Sequence, residues 1–252
     1  YLVCNYHGWT YSINGELKSP RGFNKSDIEL KELCLRNINT KVWKGLIFIN
    51  FSVKPKSFGA TFNDIEKILT PYKLENFLFD RRVSYRIKSN WKVYLDNFLE
   101  GLHIPIVHPG LNNVMDYKSY NTKLYKNFSV QSGKLDDSKS PYAQSSNNVA
   151  YYFTIYPNIL FNIAPGRLQT NTIEPLNEKE CIVHFDYFFD SVSKKEIEKD
   201  INFSDKIQKE DILICEEVQK NLLSIGFEKG IISHNYEIGV KHFQDYIRSN
   251  IN

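Results

Sequence analysis

The 252-residue sequence predicts an α+β protein: a strand-rich N-terminal segment, then a domain in which an antiparallel sheet is closed by a long helix. Three observations carry this. Short strand and turn signals crowd the first fifty residues. Residues 181–189 alternate strictly, with Ile182, His184 and Asp186 facing opposite to Val183, Phe185 and Tyr187. Residues 193–223 then run on as one or two helices without a breaker.

Taken in order, Asn14-Gly15 between WTYSI and ELKS marks a two-residue hairpin. The run VWKGLIFINF (42–51) reads as a strand, and Lys54–Phe62, with its Pro, Ser and Gly, as a linker. The domains expected are therefore 1–54 and 55–252. Residues 80–87 suggest a strand. Asn90 can cap a helix in which Trp91, Tyr94, Leu95, Phe98 and Leu102 recur at helical spacing. Residues 110–150 are polar and are expected to form a long excursion, while 151–157 and 159–164 read as strands. A terminal helix is expected over 236–251.

Composition narrows the function classes. The 32 basic and 29 acidic residues are interspersed and give a net charge of +3, which argues for a solvated surface rather than a nucleic-acid groove. No apolar run approaches the roughly 18 residues of a membrane span. The first residues lack the basic start and apolar block of a signal peptide. They cut into an apolar pattern without an initiator Met, so a missing natural N-terminus is expected. Cys4, Cys34, Cys181 and Cys215 form no disulfide-like framework, which points to a reducing, cytoplasmic setting.

The chemistry concentrates in NWKVYLDNFLEGLHIPIVHP (90–109). Glu100 and His103 are three residues apart and share a helical face. His103 and His108 lie about 140° apart on an ideal helix, so an unbroken helix would not aim both at one point. Pro105 between them frees the chain to bring His108 round. Two imidazoles and a carboxylate on one face of an iron ion leave positions open for O2 and substrate. For an arbitrary pair of histidines, a structural or exposed role is the commoner reading.

The surrounding residues favour the metal. The pattern NWK-x4-NF-x-E-x2-H-x4-H-P resembles the iron-binding segment of Rieske non-haem iron oxygenase catalytic subunits, and it fixes Trp91, Asn97, Phe98, Glu100, His103, His108 and Pro109 together. The resemblance implies a helix-grip catalytic domain in which His103 and His108 bind a mononuclear Fe(II). It assigns Glu100 not as a ligand but as the bridge for electrons arriving from a neighbouring subunit, and includes Asn97 among the catalytic residues. For the third ligand it points to Asp211, in QKEDILICEEVQKNLL (208–223), with Glu210 or Glu216 as alternatives in the same acidic run. Leu102 departs from the family, where Tyr is common before the first His.

At the N-terminus, Cys4-x2-His7 followed by Gly8-Trp9-x-Tyr11 resembles the second half of a Rieske motif, whose [2Fe–2S] cluster takes two Cys and two His. No other Cys-x-His pair occurs, so the cluster would be incomplete in this chain, which is expected to be inactive alone. The family likeness further implies NAD(P)H electrons through a separate reductase or ferredoxin, and a homotrimer. Glu100 and the run PNILFNIAPG (157–166) favour a choline-, betaine- or carnitine-like amine. Tyr151, Tyr152, Phe153, Tyr156, Phe161, Tyr187 and Phe188 are candidate pocket aromatics. Ring dihydroxylation of an aromatic substrate is the neighbouring alternative. A non-catalytic carrier of apolar ligands, needing no metal, is the alternative from another class.

Overall fold

A computed structural model describes residues 1–24, 26–136, 148–190 and 192–250. The chain forms two compact units, Tyr1–Ala60 and Thr61–Asn252.

In the first unit, β1 (Leu2–Val3), β2 (Thr10–Tyr11) and β3 (Leu17–Ser19) make a three-stranded antiparallel sheet. Gly15 carries the turn between β2 and β3 at a φ of +84°, where an L side chain is strained. The run 42–51 is not one strand. It is a hairpin of β4 (Asn39–Trp43) and β5 (Leu46–Asn50), turned at Lys44-Gly45 with both φ positive. The apolar residues on either side of that dipeptide hid the turn. The linker is likewise shorter than expected, because helix α1 (Gly59–Leu69) begins within it and buries Phe62, Ile65 and Leu69.

The second unit is built on a seven-stranded antiparallel sheet. Its strands are β6 (Leu78–Ile87), β7 (Met115–Tyr125), β8 (Phe128–Leu135), β9 (Val149–Ile155), β10 (Ile159–Ala164), β11 (Arg167–Asn177) and β12 (Glu180–Phe189). Their order is β6-β12-β11-β10-β9-β8-β7. The expected polar excursion is therefore mostly ordered: helix α4 (Pro109–Val114) and the β7–β8 hairpin occupy it up to residue 135, and its remainder, 137–147, lies outside the described residues. Strand β11 was not expected from the sequence either, since Gln169, Thr170 and Asn171 are buried there instead of apolar residues.

Three helices cover the sheet: α2 (Trp91–Phe98), the single long α5 (Lys194–Leu222) and α6 (Ile238–Asn250). Asn90 caps α2 by accepting from the Lys92 N–H. Ser193 and Glu196 close a capping box at the start of α5. The core joins Ile87, Ile173 and Val183 of the sheet to Leu95, Cys215 and Phe243 of the three helices, all at most 1% exposed. No helix among the described residues is long and apolar enough to cross a membrane.

Candidate metal centre

Helix α2 stops at Leu99, whose N–H closes back onto Leu95 and Asp96. The chain then turns through Glu100-Gly101, and a short helix α3 (Ile104–Val107) follows. The break thus precedes Pro105, which sits in the first turn of α3, where a missing N–H costs nothing. A Cβ on Gly101 would meet the Tyr120 ring at 2.6 Å, so this turn is tightly enclosed. His103 lies just before α3 and the buried His108 just after it, which swings both rings to one side. Their centroids are 5.1 Å apart.

Asp211 comes from α5. Helices α2 and α5 meet along two polar pairs one turn apart: Tyr94 donates to Gln208 Oε1 at 2.8 Å, and Asn97 Nδ2 donates to Asp211 Oδ1 at 2.6 Å. The same Asp211 oxygen lies 3.0 Å from His108 Nε2 and 3.9 Å from His103 Nε2. One ligand atom from each of His103, His108 and Asp211 falls within 4.8 Å of the others.

Each ring's other nitrogen meets a carboxylate. His103 Nδ1 lies 2.5 Å from Glu100 Oε1, and His108 Nδ1 lies 2.8 Å from Glu210 Oε2. With its proton held at Nδ1 against the glutamate, each ring would offer the Nε2 lone pair to a cation bound on the Asp211 side. Two lone pairs and a carboxylate oxygen facing one another are the donor set a divalent cation satisfies. Carboxylate-oriented histidines of this kind are a usual second layer of metal sites. The residues therefore fit a mononuclear iron. Burial pulls the His108 pKa down, but its bonds to Asp211 and Glu210 outweigh this and leave it raised.

Of the sequence candidates, His103, His108, Asp211, Asn97 and Glu100 come together here. Glu210 faces His108 from outside the triad, a role its place beside Asp211 did not reveal. Glu216 lies elsewhere on α5, accepting from the Lys88 N–H. In the first unit, exposed Cys4 and His7 share a turn closed by the Gly8 N–H on the Cys4 carbonyl. His184 and His242 are held by Ser84 and Glu174 and by Tyr156 respectively, in keeping with packing roles.

The triad opens on a cavity of about 120 Å³, room for on the order of ten water-sized groups. Its aromatic wall is Tyr94, Phe98, Tyr120, Tyr152, Phe185 and Phe203. Of the seven aromatic candidates only Tyr152 is among them. Strand alternation turns its neighbours Tyr151 and Phe153 to the other face, and the remaining candidates pack elsewhere in the sheet.

Comparison with known proteins agrees with this architecture. The chain is 31% identical to the chloroplastic choline monooxygenase of Arabidopsis thaliana over 91% of its own length and 58% of that protein's. It is 22% identical to the carnitine monooxygenase oxygenase subunit of Escherichia coli strain K12, covering 98% of this chain and 70% of that one. A solved quaternary ammonium Rieske monooxygenase superposes with a TM-score of 0.83 at 20% identity over 98% of this chain and 71% of the other. The chain thus spans about three fifths of the plant relative it matches. The ring hydroxylating alpha subunit (catalytic domain) profile matches residues 74–252, and the chain belongs to that family.

Proposed function

We propose that the protein to which this chain belongs oxidises a small quaternary amine with O2, by hydroxylation or oxidative demethylation, at an iron held by His103, His108 and Asp211. The observation that carries this reading is the convergence of both Nε2 atoms on Asp211 with both Nδ1 atoms tied to glutamates. When bound, such an iron supplies O2 activation at its open coordination positions. The chain's own residues prepare the site. Glu100 and Glu210 hold the Nδ1 protons and fix both rings, and Asn97 fixes the Asp211 carboxylate by its 2.6 Å bond. Glu100, on the outer side of His103, is assigned as the electron bridge. The aromatic wall excludes water and suits a quaternary ammonium through cation–π contact.

Cys4 and His7 are assigned as half the ligands of a [2Fe–2S] cluster in residues 1–54, with residues 55–252 as the catalytic domain. Electrons from NAD(P)H through a reductase or ferredoxin, a homotrimeric assembly and a cytoplasmic setting complete the proposal; the relatives named choline and carnitine monooxygenases support the substrate class. Ring dihydroxylation is the second reading, favoured by the same aromatic wall. An apolar-ligand carrier fits less well, because polar Asn162, Gln169, Asn171 and Gln208 line the cavity. The test is turnover of choline, carnitine and aromatic acids by the full-length protein with its reductase, reading O2-dependent product. Product from either amine supports the proposal. Product from aromatic acids alone would replace it with the second reading.

A further inference from the structure

The oxidation proposed above consumes protons as well as electrons: RH + O2 + 2 e− + 2 H+ gives ROH and H2O, the electrons coming from NAD(P)H through the reductase. Protons must therefore enter a cavity whose aromatic wall keeps bulk water out. A row of hydroxyl and carboxyl groups leads from that cavity to the surface. Its inner end is the buried Ser204 of α5, which lines the cavity. Ser204 donates to Gln169 Oε1, also on the cavity wall, at 3.0 Å and accepts from the Tyr187 hydroxyl of β12 at 3.0 Å. Tyr187 is fully buried, and its hydroxyl lies within hydrogen-bonding reach of the Tyr85 hydroxyl on β6. Tyr85 is half-buried and donates to Asp205 Oδ1 at 3.1 Å. Asp205 follows Ser204 on α5, and consecutive helical residues point about 100° apart. Ser204 thus faces the cavity while Asp205, its side chain 31% exposed and paired with Lys209, meets solvent.

Oxygens at this spacing can pass a proton from one to the next. Tyr187 already points its proton at Ser204, and Ser204 points its own at the cavity wall. A hydroxyl offers one donor and two acceptor positions and turns to suit its neighbours. A proton taken up by Asp205 from water can pass to the Tyr85 oxygen as Tyr85 turns its own proton towards Tyr187. Tyr187 hands its proton to Ser204, and Ser204 releases one into the cavity. At each oxygen one O–H bond breaks and one forms, so the row is restored once the hydroxyls turn back. Packing alone does not call for these hydroxyls. Val183, Phe185, Tyr187 and Phe189 all face the core, and a Phe would fill position 187 as it fills its neighbours.

We propose that Asp205, Tyr85, Tyr187 and Ser204 form a proton path from solvent to the oxidation cavity. Its use in turnover rests on the function proposed above, whereas its conduction does not depend on which substrate is oxidised. All four are relay residues, apart from the triad and from the glutamates that hold its rings.

The test is hydroxyl-proton exchange in H2O–D2O mixtures, read by NMR on the full-length protein carrying tyrosine labelled with carbon-13 at Cζ and zinc(II) in place of iron. Tyr85→Phe is expected to slow exchange at Tyr187 about tenfold. Exchange at Tyr94, equally buried but donating to the Gln208 carbonyl, should not change. Asp205→Asn keeps the shape and is expected to slow Tyr187 likewise, which serves if Tyr85→Phe disturbs the fold. Exchange at Tyr187 that neither variant slows overturns the path. In the iron-loaded enzyme with its reductase, Tyr85→Phe is expected to lower kcat severalfold at unchanged KM and to raise the solvent deuterium isotope effect on kcat, which a packing loss alone would not do. Slowed exchange with kcat and isotope effect unchanged overturns the use of the path in turnover. Tyr85-dependent exchange in a protein that oxidises neither amines nor aromatic acids keeps the path and overturns the function proposed above instead.

Discussion

Glu210 Oε2 lies 2.8 Å from His108 Nδ1, and the next residue, Asp211, meets the other nitrogen of the same ring at 3.0 Å. Two adjacent carboxylates on one helix therefore divide two jobs. One holds the ring at Nδ1, and the other sits at Nε2, on the side where a metal would bind. The side chain of His108 is 2% exposed, so water cannot substitute for Glu210 at Nδ1.

Glu210→Gln keeps the shape but removes the charge that holds the Nδ1 proton. Iron affinity should fall about 10- to 100-fold with the fold retained, the usual effect of losing an orienting carboxylate. Competition for Fe(II) with a chelator of known affinity measures it. Unchanged affinity would show that Glu210 contributes nothing to the site.

Helix α6 approaches α2 so closely that a Cβ at Gly239 would lie 2.5 Å from the Leu99 carbonyl oxygen. Backbone cannot yield as a flexible side chain can. Gly239→Ala should therefore destabilise the protein by about 1–3 kcal/mol, read as a lower denaturation midpoint. An unchanged midpoint would mean that α6 packs further from α2.

Asp96 is half-buried on α2; one carboxylate oxygen accepts from Gln244 and the other meets no partner. Burial raises its pKa to about 6, against the smaller lowering from Gln244. The folded state then holds this proton after the unfolded chain, near 4, has released it. The resulting stability is full below pH 4 and is lost as pH rises through 6, on the order of 2–3 kcal/mol at most. Asp96→Asn should accordingly be the more stable form at pH 7, with the difference closing below pH 4. Urea unfolding at both pH values checks this, and equal stability at pH 7 would contradict it.

How much of this could be read in the sequence follows from where each signal lies. The Asn90 cap, the spacing of His103 and His108 and the alternation of β12 are local, and each corresponds to an element of the structure. Strand β11 was illegible because its inward residues Gln169 and Asn171 serve the cavity wall, so apolar alternation fails there. The turn at Lys44-Gly45 was lost in flanking apolar residues. Glu210's contact with His108 depends on how α5 is rotated against α3, and Ser204's contact with Tyr187 on how α5 lies on the sheet, neither of which sequence spacing specifies.

The most direct measurement is iron content after anaerobic loading with Fe(II), for the parent protein, His103→Ala and Asp211→Ala. About one mononuclear iron per chain is expected in the parent, lost in both variants while circular dichroism stays unchanged. Iron retained at full occupancy after His103→Ala would contradict the assignment of this site.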